Sequence, residues 1–272
     1  MKFFEGLIPQ NKLFSVKKIT SSNENFTLLK KMDIHIQTSV EMIFVLGGKV
    51  DVSVNGLTES VRLGDGALIF PFQPNGYTAT DDAEFIIVDF DASLARDFFN
   101  PNYDTVGERA VFKPSSVTDF IIKNALLSDT DSSRFAVQSL IYSAISDFTE
   151  QNELIKRKND DNILMNTIAY LRKNKDRPLK MASVAKELGY SQSYFSFAMN
   201  KNAGLSFNTL LAMIRIESAK LLLSETDKTV LEIMLECGFG SERSFYRQFS
   251  DIVGTSPLKY RASIFNDSTD ND

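Results

Sequence analysis

Histidine and cysteine are the side chains that most often hold metals or act as nucleophiles, and this chain has one of each, His35 and Cys237. A lone cysteine forms no intrachain disulfide and no cysteine-based zinc cluster, and a lone histidine excludes every His-pair metal site. Ser-His-Asp chemistry would depend on His35 alone. With it in the sequence stand Gln37, Glu41 and, further on, Asn75. One imidazole and two amides make a poor set for a transition metal, which prefers imidazole and thiolate. No metal, catalytic group or cofactor is therefore expected, and the role left for His35 is a surface or satisfied histidine, or hydrogen bonding to a ligand. The cationic side chains offer different chemistry. Residues 172–262 hold 14 lysines and arginines against nine acidic residues, while the rest of the chain holds 16 against 26. A basic segment inside a chain of net charge −5 suits an anionic partner, although charge alone does not separate this from ordinary solvated surface.

The elements that must position these groups fall into two textures. The 272 residues are long enough for about two domains. Apolar runs such as Phe85 to Val88 are far short of the roughly 20 residues that span a bilayer, and Met1 to Gln10 lacks a basic and then apolar leader. A soluble, cytoplasmic protein without a membrane partner is expected. From about Leu13 to Phe90, short runs of Val, Ile, Phe and Thr are punctuated by Gly47-Gly48, Asn55-Gly56, Gly64-Asp65-Gly66 and Pro74-Asn75-Gly76. These are strand and hairpin signals, and Val50, Val52 and Val54 alternate with polar residues before the Asn55-Gly56 turn. Several such strands predict a barrel or sandwich. After Pro101, Val137, Leu140, Ile141, Ala144, Ile145 and Phe148 recur at helical spacing up to about Glu150. That stripe either packs on the barrel or joins two copies of the chain. Residues 151–161 are polar enough for a linker, and those from Ile163 to Ala262 read as short helices.

The helical third contains an internal repeat. Val184, Ala185, Leu188, Gly189, Tyr190 and Phe195 fall where a helix-turn-helix needs a small residue at the crossing, a glycine in the turn and apolar anchors on the second helix. Ile233, Met234, Cys237, Gly238, Phe239 and Phe245 repeat the pattern. Gly189 and Gly238 are 49 apart but Phe195 and Phe245 are 50 apart, so the second turn is one residue longer. Ser191 and Ser241 are placed to cap the two second helices.

The stretch Leu188-Gly189-Tyr190-Ser191-Gln192-Ser193-Tyr194-Phe195 resembles the DNA-binding domain of AraC/XylS transcription regulators. So do Arg215-Ile216-Glu217 before Ala219-Lys220-Leu221-Leu222, Gly238-Phe239 before Ser244-Phe245, and Gly254-Thr255-Ser256-Pro257 before Tyr260-Arg261. The similarity runs from about Lys180 to Arg261. It implies two recognition helices joined by a long helix, about Ser206 to Leu223, that enter successive major grooves. By this resemblance Ser193, Ser196 and Phe197 face bases from the first helix and Arg243, Ser244 and Arg247 from the second, with Lys201 and Arg215 completing the DNA-contacting set. The family's usual arginine is Arg247 in the second helix but Phe197 in the first. Arg247 can bond guanine O6 and N7, whereas Phe197 offers apolar contact, for example to a thymine methyl, unless it is a core residue.

In the strand-rich half, His35, Gln37, Glu41 and Gly48, with Gly66 to Pro71 and Pro74 to Tyr77, resemble the two cupin motifs, with amides where metal-binding cupins carry histidines. Such a barrel before an AraC-type domain implies a sensor. Its candidate ligand-binding residues are His35, Glu41, Phe44, Phe72 and Tyr77.

The expected architecture is α+β and multidomain. Residues 1–100 form a cupin-like sensor barrel, 101–159 a helical dimerisation segment and linker, 160–264 an all-α domain with two helix-turn-helix units, and 265–272 an acidic tail. The expected function is sequence-specific transcription regulation as a homodimer on a double-stranded operator, controlled by a small effector such as a sugar or related metabolite, with RNA polymerase as a partner if the protein activates. The alternatives are a cupin enzyme with an accessory helical domain, and a regulator whose barrel only dimerises or binds another protein.

Overall fold

The valine alternation folds as its period requires. In a computed structural model, Val50, Val52 and Val54 are buried while the residues between them reach solvent. Asn55 and Gly56 both take positive φ, 52° and 84°, the pairing a two-residue hairpin turn needs. The structure describes residues 2–3, 13–22, 26, 30–99, 101–102, 105–126, 133–156, 163–203 and 206–266. The expected acidic tail lies outside these from residue 267 onward. The chain divides into two compact units, the first reaching Arg157 and the second running from Lys158.

In chain order the strands of the first unit are β1 (Lys2–Phe3), β2 (Phe14–Ile19), β3 (Lys31–Ile36), β4 (Val40–Gly47), β5 (Lys49–Val54) and β6 (Leu57–Arg62). There follow β7 (Gly66–Ile69), β8 (Asn75–Ala79), β9 (Glu84–Phe90), β10 (Thr105–Gly107), β11 (Val111–Phe112) and β12 (Leu154–Lys156). One five-stranded sheet has the order β1-β3-β8-β5-β6 and the other β11-β7-β4-β9-β2. The expected barrel is therefore open. Among the described residues the edge strands β6 and β11 share no backbone ladder, and the Glu59 carboxylate spans the gap by accepting from Arg109 Nε at 2.7 Å and Ala110 N at 2.9 Å. A side-chain bridge satisfies those groups without closing the sheet.

Two cores flank the second sheet. Ile43, Val45, Ile69, Phe85 and Ile87 face Val50, Val52 and Tyr77 across the inter-sheet layer. On the opposite face, Val40, Met42, Phe44, Leu68 and Phe90 meet a helical layer. That layer comprises α1 (Arg96–Phe99), α2 (Ser116–Ile121) and α3 (Arg134–Gln151). The α3 stripe, Val137, Leu140, Ile141, Ala144, Ile145 and Phe148, is at most 5% exposed and lies within this core. Residues 101–159 are thus no free-standing dimerisation segment, because their apolar face covers the chain's own sheet. Likewise β12, inside the expected linker, pairs with β10. Ile141→Asp should accordingly unfold the first unit, at a cost above about 4 kcal/mol for an unpaired buried carboxylate. Calorimetry checks this; a folded monomer would restore the interface reading.

The second unit is helical: α4 (Ile163–Asn174), α5 (Met181–Glu187), α6 (Gln192–Ala203), α7 (Phe207–Glu225), α8 (Val230–Glu236), α9 (Glu242–Val253) and α10 (Pro257–Asn266). Ser206 caps α7 by accepting from Thr209 N at 3.1 Å. At 1.5 Å per residue its 19 residues extend about 28 Å. Among the described residues no helix is long and apolar enough to cross a membrane.

Candidate functional site

The sequence repeat is also a repeat of backbone geometry. In the turn from α5 to α6, Leu188 N donates to Val184 O, Gly189 N to Lys186 O and Tyr190 N to Ala185 O. From α8 to α9, Cys237 N donates to Ile233 O, Gly238 N to Leu235 O and Phe239 N to Met234 O, the same bonds 49 residues on. Gly189 and Gly238 have φ of 78° and 81°, the left-handed conformation that glycine adopts without steric cost. Ser191 Oγ then accepts from Tyr194 N at 3.3 Å and Ser241 Oγ from Ser244 N at 3.4 Å, starting the second helix of each pair. Phe195 packs edge-on against Phe207, and Phe245 against Phe239, so each second helix is held by an aromatic anchor.

This anchoring decides which faces turn outward. On α9, Phe245 and Phe249 are buried and leave Arg243 and Arg247, four residues apart, exposed on one face. Ser244 is half-buried and its Oγ accepts from Gln248 Nε2 at 2.9 Å. On α6, Ser193 is exposed, Ser196 is half-buried and Phe197 is 62% exposed. Phe197 is therefore no core residue, since Phe195, Ala198 and Met199 occupy the buried positions. Lys201 lies on α6, but its side chain is outside those described.

Arg215 departs from the expected DNA-contacting set. Its Nε donates to Lys175 O at 2.9 Å and its Nη2 to Arg177 O at 2.8 Å, and its guanidinium carbon sits 5.6 Å from the centre of the Phe239 ring. A fork donating to two carbonyls and stacked on a ring is committed to the fold. Arg261, absent from the expected set, has the same duty at the other pair, donating to Leu223 O at 3.2 Å and Lys228 O at 2.7 Å. Both arginines hold the chain just before the first helix of a pair.

In the first unit, the candidate ligand residues divide between the two cores. Phe44 faces the helical layer, edge-on to Phe112 at 6.1 Å, and so belongs to packing rather than to the ligand group. Glu41 points the other way, since it alternates with Met42 and Phe44, and it stands opposite Asp89 of β9. Tyr77 and Asn75 of β8 and His35 of β3 bring further polar groups to this end of the inter-sheet layer. His35 Nε2 lies 3.3 Å from Gln37 Oε1, and its Nδ1 lies 2.9 Å from Asp33 O. The loop from Phe70 to Pro74 crosses here: Phe72 N donates to Gln37 O, Asn75 Nδ2 donates to Gln73 O, and Phe72 holds a φ of 60°. His35, Gln37, Ser39, Glu41, Asn75, Tyr77 and Asp89 are all at most 8% exposed. Gln37, Ser39, Asn75 and Asp89 were not in the expected ligand-binding set, although an aspartate inside the apolar run Phe85 to Phe90 is itself a signal of buried polarity.

Burial, and secondarily the Asp89 charge, push the Glu41 carboxyl from its ordinary 4.5 up to about 8, with Gln37 opposing in part. The same burial and the two acids push the Tyr77 hydroxyl up. The faces around Glu41 carry Asp89 on β9, Tyr77 on β8, His35 on β3 and apolar Ile69 on β7, with Lys17 of β2 opposite Ile87, the next inward position on β9. A carboxyl with a raised folded pKa keeps a proton that the unfolded chain has lost. Its contribution makes stability fall as pH rises from about 4.5 to about 8, at roughly 1 kcal/mol per pH unit. Glu41→Gln should flatten that decline in the melting temperature of the first unit between pH 5 and 8. An unchanged slope would place the proton elsewhere. Among the described residues no three potential metal ligands converge.

Comparison with known proteins bears on the second unit. A family model described as a helix-turn-helix domain matches residues 184–263. An uncharacterised HTH-type transcriptional regulator of Staphylococcus aureus (strain COL) is 34% identical over 104 residues, covering 38% of this chain and 14% of that protein. The melibiose operon regulatory protein of Escherichia coli (strain K12) is 32% identical over 94 residues, covering 35% of this chain and 31% of that protein. The match thus spans under a third of either relative's length. Among solved structures, unsaturated fatty acid-bound ToxT from Vibrio cholerae aligns over 96% of this chain and 99% of its own at 13% identity and a TM-score of 0.42. The C-terminal domain of AraT from Geobacillus stearothermophilus aligns over 39% and 88% at 31% identity and a TM-score of 0.37. Residues 184–263 are a helix-turn-helix DNA-binding domain. The segment is similar to DNA-binding domains of the AraC/XylS type, and the curated proteins it matches are transcriptional regulators by name.

Proposed function

We propose that the whole chain is a sequence-specific transcription regulator that reads DNA with both helical pairs and is controlled by a small effector held in the first unit. The observation that carries the DNA reading is the repeated turn: identical bonds and matching glycine φ values orient α6 and α9 alike, with Phe195 and Phe245 buried and Ser193, Phe197, Arg243 and Arg247 outward. α7 joins the two pairs, packing on α4, α8, α9 and α10. Readers tied by one helix favour sites about one turn of DNA apart on one side of the duplex. The effector reading is supported by the buried polar set around Glu41, and the effector acts by shifting the populations of arrangements that bind the operator. The chain works as a homodimer through a surface other than the α3 stripe, and RNA polymerase is a further partner if bound protein activates.

Selection from random duplexes with the full chain tests this. The recovered sites should carry two short elements about 10 base pairs apart, and affinity should fall steeply with salt as counterions are released. Recovery of one short element, or binding indifferent to salt, would remove the two-reader proposal.

A further inference from the structure

The inter-sheet cluster holds more hydrogen-bonding capacity than the described residues use. Gln37 Nε2, Ser39 Oγ, Glu41 Oε1, Asn75 Oδ1 and Tyr77 OH are all buried and have no hydrogen-bond partner among the described residues. A buried polar group is costly when its hydrogen bond is left unmade, so several in one place point to a site for a polar ligand rather than to a packing accident. They share a neighbourhood. Glu41 and Asp89 are cross-strand partners on one face, Gln37 lies close enough to Glu41 to oppose its shift, and Tyr77 feels both acids. Asn75 is the register partner of His35, whose ring meets Gln37.

The charge narrows the ligand class. Two carboxyls face each other in a buried layer, and among the described residues Glu41 has no lysine or arginine as an ion-pair partner. Anionic ligands are repelled there, and a neutral polyol brings no positive charge to Glu41. A protonated amine supplies the charge and up to three donors, which matches the open acceptors Glu41 Oε1 and Asn75 Oδ1 beside Asp89.

We propose that the cluster around Glu41 and Asp89 binds a compact ligand through a protonated amine, with Asn75 and Tyr77 accepting its remaining donors and Gln37 and Ser39 holding a neighbouring oxygen. The proposal rests on the reading of the first unit as an effector sensor and names the effector's chemical class. As the amine binds, the proton held on the Glu41 carboxyl leaves to solvent, so the cation meets a carboxylate there.

The test uses the full chain and two matched pairs of probes at constant ionic strength, ethanolamine against ethylene glycol and glucosamine against glucose. Calorimetry at about 20 mM should show one of the amines raising the melting temperature of the first unit by about 4 °C, with its neutral counterpart inert. Titration in two buffers of different ionisation enthalpy should show a substantial fraction of a proton released per ethanolamine bound, and its affinity should increase from pH 7 to pH 8.5, a range over which the ethanolamine ammonium itself stays protonated. Glu41→Gln should abolish the shift and the proton release. Asp89→Asn should weaken binding, which keeps the question answerable if Glu41→Gln folds poorly. Neutral probes as effective as the amines would overturn the ammonium assignment while leaving an effector site in place. An amine shift that survives in both variants would place binding elsewhere, and no shift with any probe would remove this proposal together with the effector reading.

Discussion

Gly238→Ala is expected to unfold the second helical pair, whereas Gly189→Ala, at the matching place in the first, should leave a folded domain. Both residues have left-handed φ near 80°, where a Cβ costs about 1–2 kcal/mol. The surroundings then separate them. A Cβ at Gly238 would overlap the Lys175 carbonyl oxygen and lie 2.9 Å from Arg215 Nη2, while a Cβ at Gly189 meets nothing within 4 Å. That carbonyl is the one to which Arg215 Nε donates, so it cannot withdraw without releasing the bond that ties α7 to the end of α4. The combined cost for Gly238→Ala should exceed about 3 kcal/mol, against about 1 for Gly189→Ala. Urea unfolding of the two variants, followed by far-ultraviolet circular dichroism, measures the difference. Equal losses would mean that the two turns are equally free, and that the packing described around Gly238 is wrong.

The second large effect is on DNA. Arg247 stands exposed on α9 beside Arg243, and a bidentate contact to guanine O6 and N7 is worth about 1–3 kcal/mol of discrimination. Arg247→Ala should lower affinity for the preferred operator by that amount and relax preference mainly at one base pair. Phe197 occupies the matching position on α6, is 62% exposed and has no hydrogen-bond donor on its side chain. Its removal should cost less, act chiefly at a thymine and leave the salt dependence nearly unchanged. Because neither side chain is buried, both variants should melt within about 1 °C of the parent. Operator selection beside thermal unfolding separates the readings. Equal loss of discrimination in both variants would show that the two helices read DNA with equal weight.

Much of this molecule was legible in local pattern. Period-two valines, the Asn55-Gly56 turn, the heptad-like stripe of α3 and the doubled glycine turn are short-range features, set by backbone sterics and side-chain period. The residues Ser193, Arg243 and Arg247 were likewise legible, because burying Phe195 and Phe245 on a helix forces their neighbours outward. Partners distant in sequence were not. The α3 stripe reads the same whether it meets another copy or its own sheet, and only the packing on Val40, Met42 and Phe44 decides for the sheet. Arg215 and Arg247 are both arginines in a basic segment. One is consumed by two carbonyls about 40 residues away and the other is left outward, a difference set by chain path and not by residue type. Phe44 and Glu41 differ in face because a strand alternates, but which face holds apolar helices and which holds the acid pair depends on what lies across each layer. Asp89 reaches Glu41 through strand register, 48 residues apart, a pairing that no local signal in either strand encodes. Sequence determined the elements and their outward or inward faces; long-range packing determined what each face meets, because that energy arises only once distant segments have been brought together.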